Sequence, residues 1–252
     1  MNRLLYALHK WISAAAFVQL AIWTVSGSVF AWVSQESIRS SPVEGAHRGI
    51  VAEAPAVPIA RALEVAATAG AGDVERVELR GTPAGPYYVV RGQAAAVRVD
   101  ARSGELAPVS RTEAEATARR DQPDSPSVRE TILVEGAAPL EYRDCERTEC
   151  SLPAFRVALA DDAGTAVYVD ATTGDVTARR NDRWRFYDFF WALHIMDYRA
   201  REDFNHVLIR VAGLVAVATV LSGIVLLTLR ATRWVRRRVN AAHGGSSDDP
   251  VR

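Results

Sequence analysis

Hydrophobic and polar residues are unevenly distributed along this chain of 252 residues. The 23 residues from Trp11 to Val33 include no charged side chain, and neither do the 19 residues from Val211 to Leu229. At about 1.5 Å per residue, the first run would extend about 33 Å as a helix, which is enough to cross a hydrocarbon core of about 30 Å. Both runs therefore predict transmembrane helices, with Trp11 and Trp32 placed as interfacial aromatic residues.

The first run also has the basic start of a secretory signal peptide, because Arg3 and Lys10 precede it. Its apolar stretch is longer than the roughly 7–15 residues of such a peptide, and residues 30–33 offer no small-residue cleavage site. We therefore interpret this run as an uncleaved anchor. A buried core helix is the alternative for either run, but both runs are longer than such helices usually are.

The balanced composition hides a division of charge along the chain. The 30 basic and 30 acidic residues exclude a polybasic nucleic-acid binder. From Ser34 to Asp203, however, 21 arginines accompany 28 acidic residues, so this region is acidic. By the positive-inside rule, both termini are predicted to be cytoplasmic and residues 34–206 to lie on the other side of the membrane. The flanking basic residues that set this orientation are Arg3, Lys10, Arg230, Arg233, Arg236, Arg237 and Arg238.

A ten-residue pattern occurs twice in the acidic region. Residues 97–106 and 167–176 align without gaps and share five positions. In each copy, an alternating strand leads into Asp-x-x-x-Gly, where the aspartate accepts backbone hydrogen bonds and the glycine adopts the left-handed conformation that closes a hairpin. A calcium loop is the alternative, but these segments provide only part of the oxygen ligands that such a loop needs. The predicted turn residues are Asp100, Gly104, Asp170 and Gly174.

Each copy of the pattern follows a predicted helix and further strands. A helix is predicted at residues 58–70, and Thr112 with Glu115 predicts a capping box that starts a second helix. Strands are predicted at 74–79, 86–90, 128–134 and 154–159. The predicted fold class is therefore α+β, with two units of one helix and a three-stranded antiparallel sheet between two transmembrane helices.

The aromatic residues after the second unit predict a short helix that lies in the headgroup region or beneath the outer domain, with a binding groove as the alternative.

The predicted domain boundaries are residues 1–33 for the N-terminal stub and first membrane helix, 34–57 for a linker, 58–111 and 112–181 for the two units, 182–206 for the aromatic segment, 207–229 for the second membrane helix, and 230–252 for a basic cytoplasmic tail with a disordered end.

Three motifs together resemble the PepSY-domain membrane proteins of bacteria. The first is the start of the first membrane helix, His9-Lys-Trp11, and the second is the repeated Val-x-Val-Asp-x-x-x-Gly-[Glu/Asp] pattern. The third is His194-Ile-Met-Asp-Tyr198, which precedes the last helix. The resemblance covers nearly the whole chain and implies a protein of the bacterial inner (plasma) membrane with a periplasmic or extracellular region.

The resemblance implies two classes of function. PepSY units are similar to parts of the propeptides of secreted metallopeptidases, which implies a non-enzymatic binding or regulatory module that restrains an envelope protease or binds an envelope peptide. Sequence motifs of hydrolases, zinc peptidases and nucleotide-binding enzymes are absent, so we expect no catalytic activity and no cofactor. The expected partners are the lipid bilayer and an envelope protein or peptide, together with a second copy of the chain in a homo-oligomer.

The alternative implied by the resemblance is an accessory subunit of an iron-siderophore reductase or another electron-transfer system that binds haem b. The candidate ligands are His194 and His206, with His9 added in an oligomer. His9 and His206 are predicted at opposite membrane faces, about 30 Å apart, so they cannot hold one haem within a single chain.

The cysteine pair and the small residues of the two apolar runs have predicted contacts. Cys145 and Cys150 lie in a polar segment, and outside the cytoplasm we expect them to form a disulfide, with a free or redox-active pair as the alternative. The small residues 26–28 and 222–223 in the two predicted membrane helices allow close helix packing. The two patches are predicted near opposite membrane faces, so we do not expect them to touch each other, and contact of one patch with a second copy or another membrane partner is the alternative.

Overall fold

The computed structural model describes residues 2–34, 38, 54–82, 85–143 and 150–244. These residues divide into two compact units. The unit that we call the sheet unit contains the described residues from Val33 to Tyr187. The unit that we call the helical unit contains the first helix and the described residues from Asp188 onward. Most of the predicted linker, including His47, lies outside the described residues.

The described residues form helices and two antiparallel sheets, which confirms the α+β fold class. The helices are α1 (Asn2–Trp32), α2 (Ile59–Thr68), α3 (Arg111–Asp121), α4 (Asp182–Ile195) and α5 (Val207–Gly244). The first sheet contains β1 (Val74–Thr82), β2 (Gly85–Gly92) and β3 (Ala96–Asp100), in that order. The second sheet contains β4 (Val128–Val134), β5 (Ala154–Leu159), β6 (Ala166–Asp170) and β7 (Val176–Arg180), also in that order.

One helix covers one face of each sheet. In α2, the fully buried Ala62 and Ala66 pack on the valines of β2 and β3. In α3, Ala114 and Ala118 have the same role against the second sheet. Alanines on the buried face let each helix approach its sheet closely, so the large side chains of both cores come mainly from the strands.

The second sheet has a fourth strand that the sequence analysis did not predict. All five residues of β7 are buried, and β7 pairs with β6. In the first copy of the repeated pattern, Leu106 forms only an isolated bridge with Val99. Pro108 follows closely in the chain and has no backbone N–H to donate to a sheet. The prediction of two three-stranded sheets was therefore wrong for the second one.

The start of α3 also differs from its prediction. Ser110, rather than Thr112, caps the helix, because its backbone is extended and its Oγ accepts a hydrogen bond from the backbone N–H of Glu113 at 3.2 Å. Ser110-x-x-Glu113 is itself a capping-box sequence, placed two residues earlier than the one predicted.

A buried ion pair joins the last residue of α3 to β7. The Asp121 and Arg179 side chains are 0% and 4% exposed. Arg179 Nε donates to Asp121 Oδ2 at 2.6 Å, and Arg179 Nη2 donates to the other carboxylate oxygen. A two-point contact of this kind offsets the cost of removing both charges from water only while both partners are present.

The two predicted hairpin turns have the same hydrogen bonds. Asp100 Oδ1 accepts from the backbone N–H groups two and three residues ahead, at 2.6 and 3.2 Å, and Asp170 Oδ1 accepts from the equivalent groups, both at 2.7 Å. Gly104 and Gly174 have positive φ angles of 73° and 79°. Their N–H groups donate to the Asp100 and Asp170 carbonyls at 2.8 and 3.0 Å. Each aspartate therefore organises a tight turn through backbone amides.

In the helical unit, α1 and α5 pack against each other. The segment Val207–Asn240 of α5 is long and apolar enough to cross a membrane. In α1, the segments Arg3–Ala14 and Ala16–Trp32 are long and apolar enough to cross a membrane only when they are taken together, and their axes are bent by 47° relative to each other. The described residues thus contain one helix capable of crossing a membrane, or two if the bent pair is one span.

The last helix is longer than predicted. It continues past Leu229 to Gly244, so the first part of the predicted basic tail is helical. Between these residues the chain has arginine and alanine, which favour helix, and neither proline nor glycine before Gly244. The remaining tail, residues 245–252, lies outside the described residues.

We predict that Asp121→Ala lowers the free energy of unfolding of the sheet unit by about 3–5 kcal/mol, because Arg179 would remain buried without its carboxylate. The measurement is the urea midpoint of the detergent-solubilised full chain, determined by pulse proteolysis. The double variant Asp121→Ala/Arg179→Met should recover much of this loss. Glu64→Ala removes an exposed partner of Arg61 and should change the midpoint little. Equal effects of Asp121→Ala and Glu64→Ala would contradict the assignment.

Candidate functional site

His194 in α4 contacts α1 through two hydrogen bonds. Its Nδ1 lies 2.8 Å from Oγ of Ser26, which is completely buried. The indole Nε1 of Trp23 donates to the His194 backbone carbonyl at 2.8 Å. These two residues of α1 hold the end of α4 on the surface of α1.

The hydrogen bonds of Ser26 assign the proton on the His194 ring. Ser26 Oγ donates to the carbonyl of Ile22 at 2.7 Å, as membrane serines commonly do within their own helix. A hydroxyl has one proton, so Ser26 Oγ must accept from Nδ1–H of His194. In the neutral imidazole, Nε2 then carries the free lone pair.

Aromatic rings surround His194. The ring of Phe30 meets it edge-on, with centroids 5.2 Å apart, and the Trp23 centroid lies at 6.5 Å. Trp191, one turn earlier in α4, also packs on Phe30 with centroids 6.0 Å apart. Burial among these rings lowers the pKa of His194 below its ordinary value, so the neutral ring is favoured at pH 7.

His9 repeats the same arrangement near the other end of α1. Its Nδ1 lies 2.7 Å from Oγ of Ser222 in α5, and Ser222 Oγ donates to the carbonyl of Thr219 at 3.0 Å. The hydroxyl proton is therefore used within α5, and Nδ1–H of His9 is the donor. A Cβ atom added at Gly223 would lie 3.3 Å from the His9 ring, so glycine makes room for the histidine.

His206 has a different role from the other two histidines. Its Nε2 lies 2.9 Å from the carbonyl of Ile195, which can only accept, so Nε2–H donates to the last residue of α4. A donor at the end of a helix satisfies a carbonyl that has no partner within the helix. The structure thus brings His194 and His206 to the same end of α4 but gives their rings separate partners.

The Met-Asp-Tyr part of the motif folds the connection from α4 to α5. Asp197 accepts backbone hydrogen bonds from four residues that follow it: Arg199, Ala200, Glu202 and Asp203. Although desolvation acts to raise the pKa of Asp197, these four amides hold it below its ordinary value. The same connection is fixed by Arg201, which donates to the buried carboxylate of Asp188.

In the sheet unit, the residue after the second turn glycine links the two sheets. Asp175 accepts from Arg80 of β1 and from Nη2 of Arg91 of β2, the latter at 2.8 Å. Burial acts to raise the pKa of Asp175, but Arg80, Thr173 and Arg91 together hold it below its ordinary value. The Asp175 carboxylate therefore connects the start of β7 in the second sheet to β1 and β2 of the first sheet.

A second cluster surrounds Glu141. Its Oε1 accepts from Arg156 Nε and from the Tyr168 hydroxyl, both at 2.8 Å, and its Oε2 accepts from Arg185 Nε at 3.1 Å. Burial acts to raise the pKa of Glu141, but these donors lower it overall. The Tyr168 ring also stacks on Tyr142, with centroids 4.5 Å apart. Because Arg185 belongs to α4, the cluster ties the start of α4 to the second sheet.

Among the described residues, strand β4 lies at an outer edge of the second sheet and exposes apolar side chains. Ile132 and Leu133 are 44% and 42% exposed, although they pair with Arg156 and Phe155 of β5. An edge strand presents backbone N–H and C=O groups that have no neighbouring strand, and exposed apolar side chains beside them favour the addition of another strand.

The structure leaves one predicted site undescribed. Cys150 is among the described residues, but Cys145 lies outside them, so their disulfide stays a prediction.

The partners of the histidines were not predicted from the sequence. Residues 26–28 and 222–223 were predicted only as small-residue packing patches, whereas Ser26 and Ser222 are hydrogen-bond acceptors for His194 and His9. The feature of the sequence that could have indicated these bonds is a serine next to a glycine in each apolar run, Ser26-Gly27 and Ser222-Gly223, together with a histidine in a different helix. The edge strand β4 was predicted as a strand, but its position at the sheet edge depends on the tertiary fold.

The described residues form an α+β fold with one helix, α5, that is long and apolar enough to cross a membrane. The family model described as a PepSY-associated TM region matches residues 6–246. Because this match covers nearly the whole chain, the chain belongs to the family of PepSY-associated transmembrane proteins, which confirms the resemblance seen in the sequence. No curated protein and no solved structure matches the chain.

We predict that Ser26→Ala lowers the stability of the helical unit by about 1 kcal/mol, because the part-buried Nδ1–H of His194 loses its acceptor. Ser28→Ala is the matched control, since Ser28 is exposed and its hydroxyl donates to Thr24 of the same helix. The measurement is the SDS concentration that unfolds the detergent-solubilised full chain. If the two variants unfold at the same SDS concentration, the Ser26–His194 bond does not hold α4 on α1.

Proposed function

We propose that this chain is a membrane-anchored binding protein that captures an extended segment of an envelope protein, such as a protease or a peptide, along the edge of β4. The observation that carries the proposal is the exposed pair Ile132 and Leu133 on an edge strand. Backbone hydrogen bonds along such an edge give affinity, and apolar side chains on the two faces of the strand give specificity.

The edge of β4 is held in place before any partner binds. Thr131, in the middle of the strand, is buried, and its Oγ1 donates to Glu115 of α3 at 2.7 Å. Arg111, also in α3, donates to the Thr131 carbonyl. A strand fixed in its extended conformation loses little conformational entropy on binding, which favours addition of a partner strand.

The other sheet offers a contrasting edge. Strand β1 carries Arg76, Glu78 and Arg80, with Arg76 Nε 2.6 Å from Glu78 Oε1 and Arg80 bonded to the same carboxylate. Charged side chains on an edge strand disfavour the addition of another strand. Strand β1 also exposes Val74 and Leu79, at 40% and 44%, and β4 also carries the exposed Arg129 and Glu130. The two edges therefore differ in the density of charge, which is higher on β1, and this difference supports β4 as the binding edge.

We predict that a photo-reactive amino acid at Ile132 forms crosslinks to an envelope protein in native membranes. The same amino acid at Val74, a 40% exposed residue of β1, is the matched control and should form few crosslinks. Leu133→Lys should reduce the Ile132 crosslinks at least about tenfold, because an edge charge opposes strand addition. The adducts are identified by mass spectrometry. Equal yields at Ile132 and Val74, or yields unchanged by Leu133→Lys, would contradict the proposal.

A second candidate function is an accessory role in electron transfer with haem b. The observation that favours it is the shared hydrogen bonding of His9 and His194, in which Nδ1–H is donated to a serine and Nε2 keeps its lone pair in the neutral ring. Metal-ligating histidines commonly donate their second ring N–H in this way. The side chains of Ser13 and Gln19, also on α1, have buried polar atoms without a partner among the described residues, which fits a further bound group.

The two histidines would serve separate haem groups. Ser26, the acceptor of His194, lies 17 positions after His9 in α1, which corresponds to at most about 26 Å along the helix. One haem could not be held by both histidines over such a separation, so His9 and His194 would hold separate haem groups, each together with a residue from another copy of the chain. A haem iron supplies one-electron transfer when bound.

We predict for this second candidate that the purified full chain shows haem absorption bands that shift on reduction with dithionite. His9→Ala and His194→Ala should each remove about half of the haem, measured per protein chain as the pyridine haemochrome. His206→Ala is the control, because the His206 ring donates to a backbone carbonyl, and it should retain the haem. A chain purified from haem-replete cells without absorption bands would contradict this candidate and leave the binding function in place.

A further inference from the structure

The part of α5 that follows the apolar run carries an unusually dense group of positive charges. Five arginines occur within the nine residues 230–238, and all of them are exposed. The described parts of α1 and α5 contain no acidic residue, so neither helix supplies a carboxylate to these arginines. We call residues 230–238 the basic segment. The arginines of the basic segment are Arg230, Arg233, Arg236, Arg237 and Arg238.

The helix arranges most of these charges on one side. Arg230, Arg233 and Arg237 recur at intervals of three and four residues, which places them in one stripe, with Arg236 next to it. Val235 and Val239 lie on the opposite side of the helix, where they are about half exposed. The basic segment is therefore an amphipathic helix with one strongly positive face.

The distance from the apolar run places the basic segment at lipid headgroups. Trp234 lies five residues after Leu229, which is about 7.5 Å along a helix, and the headgroup region adds about 5–8 Å on each side of the hydrocarbon core. Tryptophan is typical of this region. The guanidinium of Arg238 lies over the Trp234 ring, 4.3 Å from its centroid. The Trp234 ring thus forms a cation–π contact with the Arg238 guanidinium, which favours placing this charge at the depth of the headgroups.

We propose that the basic segment of α5 binds the phosphate headgroups of anionic phospholipids. Guanidinium groups form two-point hydrogen bonds with phosphate, and clusters of arginine immediately beyond a membrane helix attract anionic lipids. The charge of the basic segment, its place next to the apolar run and the Trp234 ring all match this ligand. The inference is independent of the function of the sheet unit.

The test uses the full chain in micelles of an uncharged detergent. Short-chain phosphatidylglycerol, short-chain phosphatidylcholine and inorganic phosphate are titrated separately, and binding is measured by microscale thermophoresis. The wild-type chain should bind phosphatidylglycerol at least about tenfold more tightly than phosphatidylcholine, since each arginine near anionic lipid contributes to the preference. This preference should decrease as salt concentration rises.

Three variants separate the basic segment from other charges. Arg233→Gln/Arg236→Gln/Arg237→Gln should abolish the preference, whereas the corresponding triple lysine variant should keep most of it and so show that the segment tolerates substitution. Arg119→Gln/Arg129→Gln/Arg183→Gln removes three exposed arginines of the sheet unit and should leave the preference unchanged.

Several outcomes would overturn the proposal. Equal affinity for the two lipids would exclude recognition of the anionic headgroup. A preference that persists in the triple glutamine variant, or that is lost equally in the sheet-unit variant, would exclude the basic segment as its source. Displacement of phosphatidylglycerol by inorganic phosphate at the same concentration would assign the segment to free phosphate instead of lipid.

Discussion

Arg179 of β7 is buried in the second sheet, where its guanidinium forms an ion pair with the carboxylate of Asp121. The pair connects the end of α3 to a strand 58 residues later. It therefore orients the helix that packs on the sheet and that also contacts Thr131 of β4. Because breaking a buried ion pair is strongly destabilising, the packing of α3 on the second sheet, and with it the contacts of α3 to Thr131, is sensitive to this pair.

The same physical constraint explains the helical unit. A part-buried histidine N–H needs an acceptor, because a polar group removed from water without a hydrogen bond is destabilising. Ser26 and Ser222 supply that acceptor while donating their own protons to helix carbonyls. His9 in α1 and His194 in α4 therefore have the same tautomer, with the proton on Nδ1. In the neutral ring of each, Nε2 has a lone pair that can accept a hydrogen bond or bind a metal.

Much of the fold was accessible from local patterns. The bounds of β4 and β5 agree with the prediction, because alternation and flanking turn residues are local signals. Strand β7 and the Ser110 cap were missed, because the first depends on Asp121 far along the chain and the second on a choice between two overlapping capping boxes. The length of α5 was missed because charge, rather than helix propensity, was used to place its end.

The candidate sites were less accessible for a similar reason. A histidine is visible in a sequence, but its tautomer depends on a serine more than 160 residues away in the case of His194. An exposed Ile132 is visible only after the sheet order places β4 at an edge. The turn aspartates, by contrast, bond to amides two and three residues ahead, so their role could be inferred from spacing alone.

Capture of an extended segment by β4 would add a strand to the second sheet. Hydrogen–deuterium exchange of the full chain, alone and co-purified with its partner from native membranes, distinguishes the two sheet edges. We expect the amides of β4 to exchange more slowly in the complex while those of β1 are unchanged, because only the edge of β4 gains backbone hydrogen bonds. Slower exchange in β1 with no change in β4 would overturn the proposed binding edge.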